Sequence, residues 1–293
     1  MRVKEMNELW TLLGKLYSDK PLEGKDRKDL VEEAKRRVFA YVWNRMRKHG
    51  EIRPPFIENP EKSSFVKAQR VQEIIPSDIR GEAYLLRKDN GFVIIIRKDL
   101  VETRSRTVIA HELGHTFFFD ADCEPIHPYV GSTVNRPNDG DKLWSNIEGP
   151  AFEIGRQILV PEQLLPKYKV TSDISIKAFN KLRRKFNVST DIMARRLIHD
   201  LNAWDDVCIF VTTYEGAGIK LPKNSERFVG PSFKKRRFSL NKNWDTIVNI
   251  LNDSINNADG VLSKRLKIER HAYHIESYCK ERSPTILCMI KPA

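Results

Sequence analysis

Val108-Ile109-Ala110-His111-Glu112-Leu113-Gly114-His115 is the stretch on which the reading of this chain turns. The spacing puts His111 and His115 on one face of a helix, one turn above the other. Two imidazoles so placed can reach a single zinc ion at about 2.0–2.1 Å. Glu112 flanks the same pocket and is placed to take a proton from an attacking water. Thr116-Phe117-Phe118-Phe119 follow, and no charge or proline interrupts Val108–Phe119 beyond the motif itself. Such a run predicts a buried helix, because a surface helix carries more Lys and Arg. Burial is what a metal site needs if its water is to be controlled.

Upstream, Glu82-Ala83-Tyr84-Leu85-Leu86-Arg87 and Phe92-Val93-Ile94-Ile95-Ile96-Arg97 read as two strands. Asp89-Asn90-Gly91 joins them, and its Asn-Gly is a strong hairpin signal. A strand edge beside a metal-binding helix would let a substrate peptide add as a further strand. A two-histidine site also needs a third protein ligand, with a fourth position open for water. Ala151, Ile154, Ile158 and Leu159 recur at helical spacing, and Pro161 ends that helix. Glu148 is then expected near the helix start, one turn before Ala151 on the apolar side. An acid there is costly unless a charge meets it. Glu153 competes, but lies further round the helix. His127, in a loop bounded by Pro125 and Pro128, is a third candidate. The pattern favours Glu148.

With these residues in view, the chain resembles the ImmA/IrrE family of zinc metallopeptidases. The run Arg104-Ser105-Arg106-Thr107 leads into the His-Glu-x-x-His helix, and Glu148-x-x-Ala151 closes in Ile158-Leu159-Val160-Pro161. The family's second helix has the form Glu-x-x-Ala-Asn-x-Phe-Ala, closing in Leu-Leu-Met-Pro. Here Phe152 stands where Asn is usual, Ile154-Gly155 replace Phe-Ala, and Pro150 lies unusually close to the acid. The resemblance covers about residues 70–201. It implies an α+β, zincin-like peptidase in which His111, His115 and Glu148 hold Zn²⁺ and Glu112 is the general base. It implies, as substrate, a DNA-bound transcriptional repressor cut in a stress or mobile-element response. The alternative is a non-enzymatic DNA-binding regulator with a structural or vestigial metal site. Glu112 argues against that, because a structural site has no use for a base between its ligands. Tyr129, in the loop after the motif, is a weak candidate for stabilising an oxyanion.

The chain has 293 residues, long enough for two or three units. The expected division is a peptidase domain with N-terminal helices over 1–165, a helix-turn-helix over 166–204 and an α+β domain over 205–293. Leu30, Ala34, Val38 and Tyr41 stripe an N-terminal helix, with Lys35, Arg36 and Arg37 largely off the stripe. No apolar run approaches the ~20 residues of a membrane span, and Met1–Trp10 lacks a signal-peptide core. Cys123, Cys208, Cys279 and Cys288 are scattered and read as reduced thiols, so a cytoplasmic protein is expected.

Net charge is +12 and the pI about 9.5, a balance that suits nucleic acid or an acidic partner. The charge is clustered at Lys35–Arg37, at Lys181–Lys185 and at Lys234–Arg237, the last expected in a loop. Ser175–Leu201 reads as helix-turn-helix. Ile176, Phe179 and Leu182 stripe its first helix, Phe186-Asn187-Val188 turn, and Ile192, Met193 and Leu197 point inward in the second. Arg183, Arg184, Arg195 and Arg196 are its candidate DNA contacts, with Arg195, Arg196 and His199 partly outward. The competing reading is a helical pair that only wraps the peptidase core. Ala121–Lys142, rich in Pro, Gly, Asn and Asp, is long for a connection and hints at a lid. Beyond it, Val207–Thr213 is expected to be a strand, Trp244–Ile255 an amphipathic helix, and Leu266–Ile275 and Thr285–Ile290 strands. The last segment carries no catalytic motif. Some members of the resembled family have a GAF-type sensor there, and a stabilising or dimerising domain is the plainer reading.

Overall fold

The computed structural model describes residues 69–74, 82–88, 91–116, 142–165, 173–215, 218–223, 226–236, 238–256, 260–268, 271–279 and 284–293. The helices expected at the N-terminus, the Asp89-Asn90 turn positions, the loop expected over Ala121–Lys142 up to residue 141, and with them Cys123, His127 and Tyr129, lie outside these residues. The chain divides into two compact units. One ends at Pro161 and takes in Phe186–Ser189; the other comprises Glu162–Lys185 and Thr190–Ala293.

The first unit is built on a three-stranded sheet, β1 (Gln69–Ile74), β2 (Ala83–Lys88) and β3 (Gly91–Arg97), in the order β1-β3-β2. The expected hairpin is there. β2 and β3 are antiparallel, with Lys88 opposite Gly91 and Ala83 opposite Ile96. β1 lies parallel to β3 on the other side. Strand periodicity sorts the side chains: Phe92, Ile94 and Ile96 are buried, while Val93, Ile95 and Arg97 are half-buried. Ala83 and Leu85, opposite Ile96 and Ile94, complete the apolar face.

Two helices complete this unit's described part: α1 (Glu102–His115), which packs on β2 and β3, and α2 (Lys142–Leu159), which packs on α1. α2 corrects the expected boundary. It begins at Lys142 rather than near Glu148, so Glu148 sits well inside it and Pro150 is interior. Pro150 has no N–H to give to the carbonyl one turn back, an omission that normally ends a helix. Here packing overrides it, since Ala151, Ile154, Ile158 and Leu159 are all buried.

α1 and α2 cross at unusually close range because each offers a glycine. A Cβ on Gly114 would stand 2.3 Å from the Ala151 carbonyl oxygen, and one on Gly155 would stand 2.9 Å from that of Ala110. Arg104 of α1 ties back to the sheet through a paired hydrogen bond to the Glu82 carboxylate. The Phe186–Ser189 turn docks on α1 as well. Arg106 donates from Nε to the Asn187 carbonyl at 3.1 Å, and the Asn187 amide donates to Glu102. Asn187 takes a left-handed φ of 48°, which asparagine tolerates better than most residues.

The second unit contains α3 (Ile176–Phe186), α4 (Thr190–Ala194) continuing as a π-helical turn over Arg195–Asp200, and a six-stranded sheet. The strands are β4 (Cys208–Glu215), β5 (Gly218–Ile219), β6 (Arg227–Val229), β7 (Val261–Ile268), β8 (His271–Cys279) and β9 (Thr285–Pro292). Their order is β5-β4-β9-β8-β7, with β6 also on β4, and every pairing is antiparallel. The single strand expected over Leu266–Ile275 is thus two, β7 and β8, paired so that Ile268 faces His271. Apolar alternation continued across the break and concealed it. Lys234 and Lys235 end a short helix, α5 (Pro231–Lys235), rather than lying in a loop; Pro231 presets its first turn.

α6 (Trp244–Asn256) lays Ile247, Ile250 and Leu251 on one sheet face, against Phe210, Tyr273, Ile275, Ile286 and Cys288. On β8, Glu276 accepts a hydrogen bond from the Ile176 backbone N–H at 2.8 Å and pairs with Lys291 at 2.7 Å. The first helix of the expected helix-turn-helix is therefore anchored at its N-terminus, where a carboxylate is favoured.

Candidate metal centre

α1 delivers His111 and His115, and α2 delivers Glu148, all three from the glycine-mediated crossing. The ring nitrogens Nε2 of the two histidines lie 3.1 Å apart. The Glu148 carboxylate stands 3.1 Å from Nε2 of His111 and 3.4 Å from Nε2 of His115. Two ligands held at about 2.0–2.1 Å from one tetrahedral ion lie about 3.3 Å apart. The two imidazole nitrogens and the Glu148 carboxylate, through Oε2 to His111 and Oε1 to His115, stand near that edge length, so the residues fit a zinc-sized cation. Among the described residues they form the group able to hold a metal ion.

The electrostatics suit a cation. Burial pushes the His111 imidazole below its usual range, against an opposing hydrogen bond that the ring donates to Glu148. Burial alone would raise Glu148, but the hydrogen bonds and charge of His111 and His115 outweigh it and hold its carboxyl at about 2. A neutral imidazole and an ionised carboxylate are the forms that coordinate metal. The side chains are 11%, 7% and 24% exposed for His111, His115 and Glu148, so the acid forms the open side.

Glu112 is buried on α1 between the two histidines. Glu153, the competing acid, lies half-buried on α2 and is not part of the cluster. Sequence reasoning missed the roles of two neighbours of the site. Phe152, one turn after Glu148, stacks on the His111 ring, with centroids 3.7 Å apart and planes 24° apart. Gly155 sets the helix spacing; a glycine inside an apolar helical run was the signal to read.

The candidate DNA contacts fare unequally. Arg184 is exposed at the end of α3, beside exposed Lys181 and Lys185. Arg183 is half-buried, and its Nε is shielded from water with no hydrogen-bond acceptor among the described residues. Arg195 is partly exposed, bonds Asp191 at 2.9 Å and lies over the Phe228 ring. Arg196, expected partly outward, is instead 2% exposed and faces Asp200 at 3.6 Å. The π-helical turn there rotates it into the core, where it needs an acidic partner rather than a phosphate.

This fold and site define a two-helix His-His-Glu centre of the kind metallopeptidases use. Residues 74–198 match the family model of the IrrE N-terminal-like domain, peptidase family M78. A solved structure described as a Mycobacterium tuberculosis transcriptional regulator is similar over 98% of this chain and 94% of its own, at 10% identity and a TM-score of 0.49. A likeness at that level carries no argument. Among curated proteins none matches. No helix among the described residues is long and apolar enough to cross a membrane.

Proposed function

We propose that this chain is a zinc-dependent endopeptidase of the cytoplasm, acting on a protein substrate of the transcriptional-repressor class during a stress or mobile-element response. The observation that carries the reading is the near-tetrahedral spacing of the His111, His115 and Glu148 donors around one point. Bound there, zinc would supply Lewis-acid polarisation of a peptide carbonyl. Glu112 is assigned as general base, taking a proton from the attacking water and returning it to the leaving amine. β2, at the edge of its sheet among the described residues, offers a strand edge to an extended peptide beside α1. The substrate class follows from the family resemblance alone.

The deciding experiment incubates the zinc-loaded protein with repressors encoded nearby and follows fragments by mass spectrometry. Cleavage that disappears with chelator and in Glu112→Gln is expected. Failure to take up any divalent ion at neutral pH would remove the enzyme.

A second reading, a DNA-binding regulator with a vestigial metal site, draws on the exposed basic side of α3, where Lys177, Lys181, Arg184 and Lys185 lie together. Such a face can meet phosphates. The two readings are separable, because the first predicts zinc-dependent cleavage whether or not DNA binds.

A further inference from the structure

A histidine that binds metal through Nε2 is normally kept in orientation by a hydrogen bond from its other ring nitrogen to a carboxylate or carbonyl. His111 lacks that anchor: its Nδ1 is buried and has no hydrogen-bond partner among the described residues. The ring nevertheless stands with Nε2 on the same point as His115 and Glu148.

Two rings bracket it. His115 meets it edge-on, at 4.6 Å between centroids and 77° between planes, and Phe152 lies flat on it at 3.7 Å. Phe152 itself is 41% exposed, large for a phenylalanine that serves only to fill a core. It lies four residues after Glu148, on the same side of α2. One helix therefore delivers both the acid and the ring that meets the imidazole.

We infer that Phe152 is a positioning residue for the metal centre: by stacking, it fixes the rotation of the His111 imidazole that a hydrogen bond would otherwise fix. The inference rests on the metal reading above. An imidazole turns about its Cβ–Cγ bond, and a flat ring face at stacking distance blocks that turn in either sense. Without it, His111 Nε2 would leave the shared point for part of the time, and the cation would lose a ligand without any change in the ligand set.

The test measures zinc affinity of the full chain by competition with a chromophoric chelator, alongside the visible spectrum of the cobalt(II)-loaded protein. Phe152→Ala and Phe152→Leu should each weaken zinc about 10- to 100-fold, the range for lost outer-sphere support, and should alter the cobalt d–d bands. Phe152→Tyr, which keeps the ring face, should restore both to wild type. Metal-free melting midpoints should stay close to wild type, because the side chain is 41% exposed and lies outside the apolar core. Phe152→Leu keeps apolar bulk and serves should Phe152→Ala not fold. A wild type that binds zinc, matched by Phe152→Leu in affinity and cobalt spectrum, overturns the inference and leaves the metal reading intact. A wild type that binds neither ion overturns both.

Discussion

At the residue scale, the centre separates groups by role. Burial lowers His111, and the neighbouring imidazoles lower Glu148, both directions that favour the forms which coordinate a cation. Glu112 lies on the same helical turn, and as a base rather than a ligand it should be dispensable for binding. Glu112→Gln should therefore keep about one zinc per chain by metal analysis while cleavage falls by about 10²-fold or more. Zinc lost together with activity would make Glu112 a ligand. His111→Ala should lose the ion outright. Glu148→Ala should weaken zinc far more than Glu153→Ala, measured by the same chelator competition; the reverse ranking would move the third ligand.

At the element scale, the site depends on how closely α1 and α2 approach. Gly155→Ala would press a methyl group 2.9 Å from the Ala110 carbonyl oxygen and 3.0 Å from the His111 nitrogen. Overpacking of this kind costs about 1–3 kcal/mol, and parting the helices should also separate Glu148 from the histidines. Thermal melts and zinc affinity should both fall. Gly149→Ala is the control on the same helix: a Cβ there meets nothing within 4 Å. It should leave zinc affinity at wild type and change stability little, because the gain in helix propensity is offset by the restriction Pro150 places on a side chain just before it. The β2–α1 tie through Glu82 and Arg104 is smaller. Arg104's hydrogen bond holds the Glu82 carboxyl below its usual range. A carboxyl lowered by folding adds stability above its unfolded value of 4.5 and loses it as pH falls through the folded value. Glu82→Gln should therefore cost less than about 1 kcal/mol at pH 7 for a pair this exposed. That difference should vanish in melts at strongly acid pH.

At the scale of the whole molecule, the excess positive charge and the buried thiols give separate tests. If the basic side of α3 meets nucleic acid, affinity should fall with salt by about 0.9 log units per phosphate neutralised. Arg184→Ala should flatten that slope by about one unit in electrophoretic titrations. Arg196→Ala should act differently, lowering stability without a specific change in slope, because it removes a buried partner of Asp200. Cys208, Cys279 and Cys288 are buried thiols of the second unit, outside any disulfide. Burial pushes the Cys208 thiol up to about 12 and raises Cys288 as well. In the folded protein at pH 8 a thiol reagent should leave Cys208 and Cys288 unlabelled, and in denaturant both should react, as read by peptide mapping.

Local pattern carried much of this. The i, i+4 histidines, the alternation of Phe92, Ile94 and Ile96 and the Asn-Gly signal are short-range features, and helix and strand periods translate them directly into faces. Tertiary contact decided the rest. The pattern put the helix start near Glu148, but α2 begins at Lys142, and burial of the apolar stripe after Pro150 carries it through that residue. β7 and β8 merged into one apolar run because strand periodicity does not register a reversal of direction. Arg196 read as outward on an ideal 3.6-residue helix, and a π-helical turn, invisible to that period, took it into the core. The convergence of Glu148 with His111 and His115, and the seating of Phe152 on an imidazole, depend on two glycines letting helices from distant parts of the chain touch. Which backbones approach that closely is a property of the packed molecule, because it depends on what each glycine meets across the crossing.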